Sequence, residues 1–286
     1  MEGLVELLQS LSGHSQKLAR RLVAYRDLLS DPVNNVHARA KAIAGLGAAI
    51  EAFPDSAVRQ RLADWCRDEA AAIEQGRAEF RFEFGRQLVA GLEGSGMTIK
   101  GQLPLLRVGL FTVRADFDAG SATIFWGPEI EKLKSGLNLA PAALAATLVK
   151  WNERLRQKSV EPEKLIRLLR KAYERRVSSD RFPVSSGGGT RVFLLDVLSE
   201  LVFLLQPESF RLNPAQEKFV EYPRIRFSYD LFRLKQAGAL AVGDAQLKLH
   251  VANFDATTEK AKALWVPDNE EGDGTHYSYV SFVRGS

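Results

Sequence analysis

At Met97 the hydrophobic period of this chain changes, and that change limits it to folds that combine helices with antiparallel strands. Before Met97, apolar residues recur every three or four positions. Leu18, Leu22, Tyr25 and Leu29 follow Ser15; Ile43, Leu46, Ile50 and Phe53 mark one face of Val36 to Phe53; Leu62, Trp65, Ile73, Phe80, Phe84 and Leu88 follow Asp55 and Ser56. This spacing places one apolar stripe on a helix. Asn34 and Asp55/Ser56 supply N-terminal caps, while Pro32, Pro54 and the Gly94-Ser95-Gly96 turn supply stops. Short connections make these helices antiparallel neighbours, a hairpin or small bundle. Phe80, Phe82 and Phe84 also alternate as in a strand, but Leu88 and Leu92 continue the helical spacing.

From Met97 the chain is dense in branched and apolar residues. MTIKGQLPLLRVGLFTVRAD, the turn-forming DFDAGS and the run SATIFWG predict two or three strands within 97–127. Pro128 after Gly127 predicts a short helix ending at Gly136. Helices are then expected from Pro141, with Leu144, Leu148, Trp151 and Leu155 inward, and from Glu161-Pro162, with Leu165, Leu168, Leu169, Ala172 and Tyr173 inward. Residues 178–189 read as a linker or loop, followed by a buried helix over 190–206. Further helices are expected at 214–221 and 228–237, the second stopped by Gly238, and strands at 246–251, 263–267 and 276–283.

The expectation is an α+β protein. A helical N-terminal module carrying a β-hairpin or small antiparallel sheet (1–136) leads into a basic helical middle (137–189) and a mixed C-terminal domain (190–286). The order of helix, glycine stop, strand and hairpin in that last part is the order of a winged-helix C-terminal half.

Several function classes lose support at once. One cysteine, Cys66, excludes an intramolecular disulfide, and His14, His37, His250 and His276 have no zinc-ligand spacing. No metal or other cofactor is expected, and no Ser/His/Asp or Cys/His set is legible. MEGLVELLQSL is too short and acidic for a signal peptide. Val192–Leu205 is interrupted by Asp196, Ser199 and Glu200 and falls short of the ~20 residues of a membrane span. The expected location is the cytoplasm, with no membrane partner.

Charge is the most informative chemical feature. Lys150 to Arg191 contains twelve Lys/Arg and five Asp/Glu, a net +7 in a chain whose total is +4. Lys164, Arg167, Arg170, Lys171 and Arg175 fall opposite the leucines of their helix, where they could contact phosphates without reading sequence. Gly188, Gly189, Thr190 and Arg191 close a glycine-rich loop that is expected to open directly into a helix N-terminus, a setting that favours anions. The competing reading is an ordinary solvated face, because Glu163 precedes Arg167 by four residues and Glu174 lies near Arg170 and Lys171.

Other clusters are weaker. Asp116, Asp118, Glu129 and Glu131 could hold a divalent metal for a nuclease, although an Asp-rich turn needs no such explanation. Gly91 to Lys100 lacks the strand and Gly-Lys-Ser/Thr of a phosphate loop, and Asp268 to Gly274 has Gly272 where a calcium loop needs a ligand. Trp265, Tyr277, Tyr279 and Phe282 could form a stacking platform or simply a strand with a buried face. The functional expectation is a non-enzymatic adaptor or accessory subunit. It would hold a protein partner or a second copy of itself, and contact DNA or RNA through the basic face. A metal-dependent nuclease and a structural coiled-coil oligomer are the alternatives.

Overall fold

A computed structural model describes residues 2–157, 159–179, 184–186, 189–259 and 262–284. Three antiparallel helices open the chain: α1 (Glu2–Leu28), α2 (Val36–Glu51) and α3 (Ser56–Leu92). α1 begins well before Ser15. Asp55 caps α3 by accepting a hydrogen bond from the Val58 amide at 2.9 Å, and at 37 residues that helix runs about 55 Å. The expected cap of α2 differs: Asn35 occupies the position without a side-chain capping bond, donating instead to the Leu28 carbonyl at 3.0 Å, while Asn34 donates to Asp31 at 2.7 Å. The alternating phenylalanines are helical, with Phe80 and Phe84 buried and Phe82 exposed.

The strand-rich segment forms a meander of β1 (Ile99–Gln102), β2 (Leu105–Val108), β3 (Phe111–Asp116), β4 (Ser121–Trp126) and β5 (Glu131–Asn138), paired in that order. β5 replaces the expected helix over 128–136. Gly127 and Glu129 both take φ near +60° and turn the chain sharply, so Pro128 serves a turn and Glu131 comes back beside Trp126. Leu133 and Leu137 then pack inward at the even spacing of a strand. Phe117, in the turn after β3, meets Phe80 and Phe84 edge to face and seats the sheet on α3.

α4 (Pro141–Gln157) lies against α3 so closely that a Cβ on Gly91 would come within 2.8 Å of the Ala145 side chain. α5 (Pro162–Ser179) belongs instead to the C-terminal unit. There it packs with β7 (Gly189–Phe193), α6 (Leu194–Leu204) and α8 (Arg224–Gln236). The expected helix over 190–206 is therefore a strand followed by a shorter helix, because Val192 and Phe193 pair with a strand far along the chain. Within the expected linker, residues 180–183, 187 and 188 lie outside the described residues, while β6 (Val184–Ser186) pairs with β7. α7 (Glu208–Leu212) precedes the segment expected as helix 214–221, which is only a 3₁₀ turn at Gln216–Lys218; α8 starts four residues before its expected position.

β8 (Ala241–Val242), β9 (Ala245–Val251), the short α9 (Phe254–Thr258), β10 (Leu264–Pro267) and β11 (Gly274–Arg284) complete the chain. The second antiparallel sheet runs β6-β7-β11-β9-β8, with β10 also on β11. Helices α5, α6 and α8 pack with this second sheet, in which β11 lies between β7 and β9. The α+β architecture expected from the sequence is present, and one continuous core joins its parts. Trp126 of the first sheet reaches across to donate to Ser228 of α8 at 3.1 Å, and Ser228 donates in turn to the Trp265 carbonyl at 2.5 Å. No helix among the described residues is long and apolar enough to cross a membrane.

Candidate nucleic-acid interface

α5 starts at Pro162, where a missing amide hydrogen costs nothing, and buries Leu165, Ile166, Leu169, Ala172 and Tyr173. The Tyr173 hydroxyl donates to the Thr190 carbonyl at 2.7 Å, and its ring lies 5.2 Å from that of Phe282. The helix is thereby fixed to the inner face of the second sheet. Burial pushes the Tyr173 hydroxyl up from its ordinary pKa, against the lowering effect of its contacts with Phe282 and Thr190. Lys164, Arg167, Lys171 and Arg175 project from the other side of α5. All four are exposed, and among the described residues none forms an ion pair. At 100° per residue they lie within an arc of about 80° and extend about 16 Å along the axis.

The structure separates the other candidates from this stripe. Arg170 is a strap: it donates to Glu174 at 2.9 Å and to the Val242 carbonyl at 2.9 Å, and lies 3.6 Å from Asp244. It thus ties α5 to the β8–β9 turn and occupies Glu174, the carboxylate expected to neutralise the face. Gly188 lies outside the described residues. Gly189, Thr190 and Arg191 are in β7, so they do not open a helix; α6 begins after Phe193, with no side-chain cap. Arg191 cannot join the stripe, because Val192 is buried toward α5 and alternation turns Arg191 to the opposite sheet face. Arg176, next to the stripe, pairs with Asp196 at 3.2 Å.

In α8, Phe227 to Phe232 and Leu234 are all buried, so this helix presents little surface to a partner. Its surroundings contain two groups that sequence reasoning missed. Asp230, 1% exposed, accepts hydrogen bonds from Tyr222 at 2.6 Å and from the Val160 amide at 3.2 Å. Burial pushes its carboxyl up to about 6, against the lowering effect of those bonds and of Arg226 and Arg233. Burial likewise raises Tyr222. Ser228, between Trp126 and Trp265, is the second. The only signal for either was a polar residue inside the apolar run Phe227 to Phe232.

The carboxylates considered for a nuclease are dispersed. Asp116 accepts from the Asp118 and Ala119 amides at 3.1 and 2.8 Å as a turn cap. Glu129 pairs with Arg114, and Glu131 with Arg224 at 2.9 Å. Among the described residues no three His, Cys, Asp or Glu side chains converge as a metal site. Gly94 and Gly96 form the turn after α3, and the segment from Asp268 to Asp273 is a closed turn in which the Asp268 amide donates to the Asp273 carbonyl at 2.8 Å. Cys66 is half-buried and unpaired.

The aromatic platform divides. Trp265 is buried, Phe282 packs on Tyr173, and Tyr277 accepts from Lys235 at 3.2 Å. Tyr279 stands on the outer face, stacked on Phe193 with ring centroids 4.4 Å apart. Compared with known proteins, the chain matches no family model, no curated protein and no solved structure.

Proposed function

We propose that the protein is a non-enzymatic adaptor or accessory subunit of a cytosolic assembly that contacts the phosphate backbone of a nucleic acid through α5. The observation that carries this reading is the stripe of Lys164, Arg167, Lys171 and Arg175. Its four charges are exposed and, among the described residues, unpaired, on a helix whose opposite face is locked into the core. A solvated helix face commonly neutralises its cations with carboxylates at i+3 or i+4; here Arg170 holds Glu174 instead. Such a stripe positions a backbone and reads no bases, in keeping with the burial of α8. The partner-holding part of the reading draws on exposed apolar side chains, Phe82 and Val89 seven residues apart on α3, Leu212 in α7, and Phe219, whose ring meets that of Phe210.

The test is binding of a labelled DNA duplex across a salt series. The wild type is expected to show log affinity falling by about 3–4 per tenfold rise in salt, as four phosphate contacts require. Reversal of Arg167, Lys171 and Arg175 to Glu is expected to abolish duplex binding with the thermal midpoint unchanged. Equal affinity in the reversed variant overturns the role of α5.

A further inference from the structure

The outer face of the second sheet, turned away from α5, opens into a cavity of about 430 Å³ whose lining includes Arg191, Phe193, His250, Ser278 and Tyr279. That volume is in the range of small-ligand sites, about 300–1,000 Å³. Four observations there point the same way. First, an aromatic surface is exposed: Phe193, stacked on Tyr279, is 39% accessible. Second, Arg191 projects from the same strand face as Phe193, two residues and about 7 Å away, and forms no ion pair among the described residues. Third, β11 carries a bulge between Tyr277 and Tyr279, so that Ser278 is an extra residue re-aimed by the pleat. Fourth, Ser278 is 4% exposed, lines the cavity, and its hydroxyl has no hydrogen-bond partner among the described residues. A buried hydroxyl without a partner is costly, and a ligand oxygen or nitrogen would satisfy it.

An uncharged aromatic ligand would leave Arg191 unused, and a simple anion would leave the stacked rings unused. A nucleotide uses both, since every base has a π-face and every nucleotide a phosphate. Charge at the mouth agrees. Lys248 lies near His250, and burial, with Arg191 and Lys248 adding to it, pushes the His250 imidazole below its ordinary pKa. The neutral ring holds Ser281 at 2.8 Å. Asp255 and Lys262 also face the cavity, Lys262 being paired with Glu259 at 2.8 Å.

We infer that this cavity binds a nucleotide unit, with its base stacked on Phe193 and its phosphate at Arg191, presented either by a single strand or as a free mononucleotide. The inference deepens the nucleic-acid reading of α5, on which its place in the protein's work rests, but it uses none of the α5 residues.

The experiment is a titration of the full chain by fluorescence anisotropy with 5′-labelled dodecamers of uridine and thymidine, followed by competition with UMP and AMP. Phe193→Leu keeps an apolar side chain and removes the ring; it is expected to weaken strand binding about five- to a hundredfold, the range found for base–aromatic stacking. Arg191→Gln, at an exposed position, is expected to reduce the salt slope by about 0.7, one phosphate on a single strand. Displacement by UMP or AMP assigns the site to free mononucleotides, and binding of the dodecamers alone assigns it to a strand; either supports the inference. Wild-type affinity in both variants, or binding of no probe, overturns it. If charge reversal on α5 abolishes binding while Phe193→Leu has no effect, the α5 reading stands and this inference fails; the reverse pattern removes α5 and leaves the cavity.

Discussion

α5 and α8 are both rich in cations, lie in the same C-terminal unit, and use their charges in opposite ways. On α8 every cation is engaged: Arg224 with Glu131 and the Ala263 carbonyl, Arg233 with Ser159, Lys235 with Asp268 and Tyr277, and Arg226 as well. These bonds surround a helix buried on nearly all sides, so they fix structure. Among the described residues, only Arg170 and Arg176 of α5 are spent in this way, and four cations remain unpaired on one face. The number of positive residues therefore says little about binding. What distinguishes the two helices is whether a carboxylate or carbonyl of the same chain reaches the charge first.

The most severe test of this contrast is to remove packing from each helix. Phe232 is fully buried, and Phe232→Ala is expected to cost about 3–5 kcal/mol, the usual range for emptying a large aromatic site in a core. Arg167→Ala is expected to change stability by less than about 0.5 kcal/mol, as for most exposed positions. Urea unfolding of the two variants measures both. Similar losses would mean that α8 is far more open than its burial indicates.

A second test uses pH, because α8 buries a titrating carboxyl and α5 does not. Asp230 titrates near 6 in the folded protein, above its ordinary 3.8, so the fold favours the protonated form. The sign follows from proton uptake: the ionised group is a penalty above about pH 6, and stability from this residue rises as pH falls from there toward about 4. Below that range the unfolded chain is protonated too, and the gain levels off. The full span is roughly 3 kcal/mol, from 1.36 kcal/mol for each pKa unit between 3.8 and 6. Asp230→Asn removes the titration, so wild type is expected to gain roughly 2 kcal/mol relative to that variant between pH 7 and pH 4.5. Parallel pH profiles would refute a buried carboxyl with a raised pKa.

The extent to which these features were legible follows from how local their causes are. Asp55 before an apolar stripe, Pro162 at a helix start and Gly238 at a helix stop act within a few residues, and α3, α5 and the end of α8 lie where they indicate. Thr190 to Phe193 reads as helix in isolation because its extended form comes from pairing, Thr190 and Arg191 with β6 and Val192 and Phe193 with β11, and a single apolar run has no visible partner. β5 was read as helix because Gly127-Pro128 fits a helix start as well as a turn, and the left-handed Glu129 that decides the matter leaves no mark in the sequence. The basic face was legible as a stripe, but its membership was not. Arg170 is removed from it by Val242 and Asp244, and Arg191 by the alternation of a strand that had not been foreseen.

The finest division within α5 is the one between Arg170 and Arg167, three residues apart and of the same chemistry. Arg170 is one-third exposed, so its bonds to Val242, Asp244 and Glu174 are partly screened by solvent. Replacing it with Met, which keeps the aliphatic length, is expected to cost about 1 kcal/mol. The loss comes mainly from a Val242 carbonyl left without its charged donor at the β8–β9 turn. Arg167→Met removes no such bond and is expected to leave stability within about 0.5 kcal/mol. Polyanion binding should show the inverse order. Arg167→Met deletes one phosphate contact and lowers the salt slope by about 0.9, whereas Arg170→Met, whose charge was already committed inside the chain, leaves the slope of the wild type. Paired measurement of urea midpoint and salt slope on these two variants separates a structural arginine from a binding one. If both variants lose slope equally, Arg170 exchanges its internal partners for phosphate on binding, and the stripe has five cations instead of four.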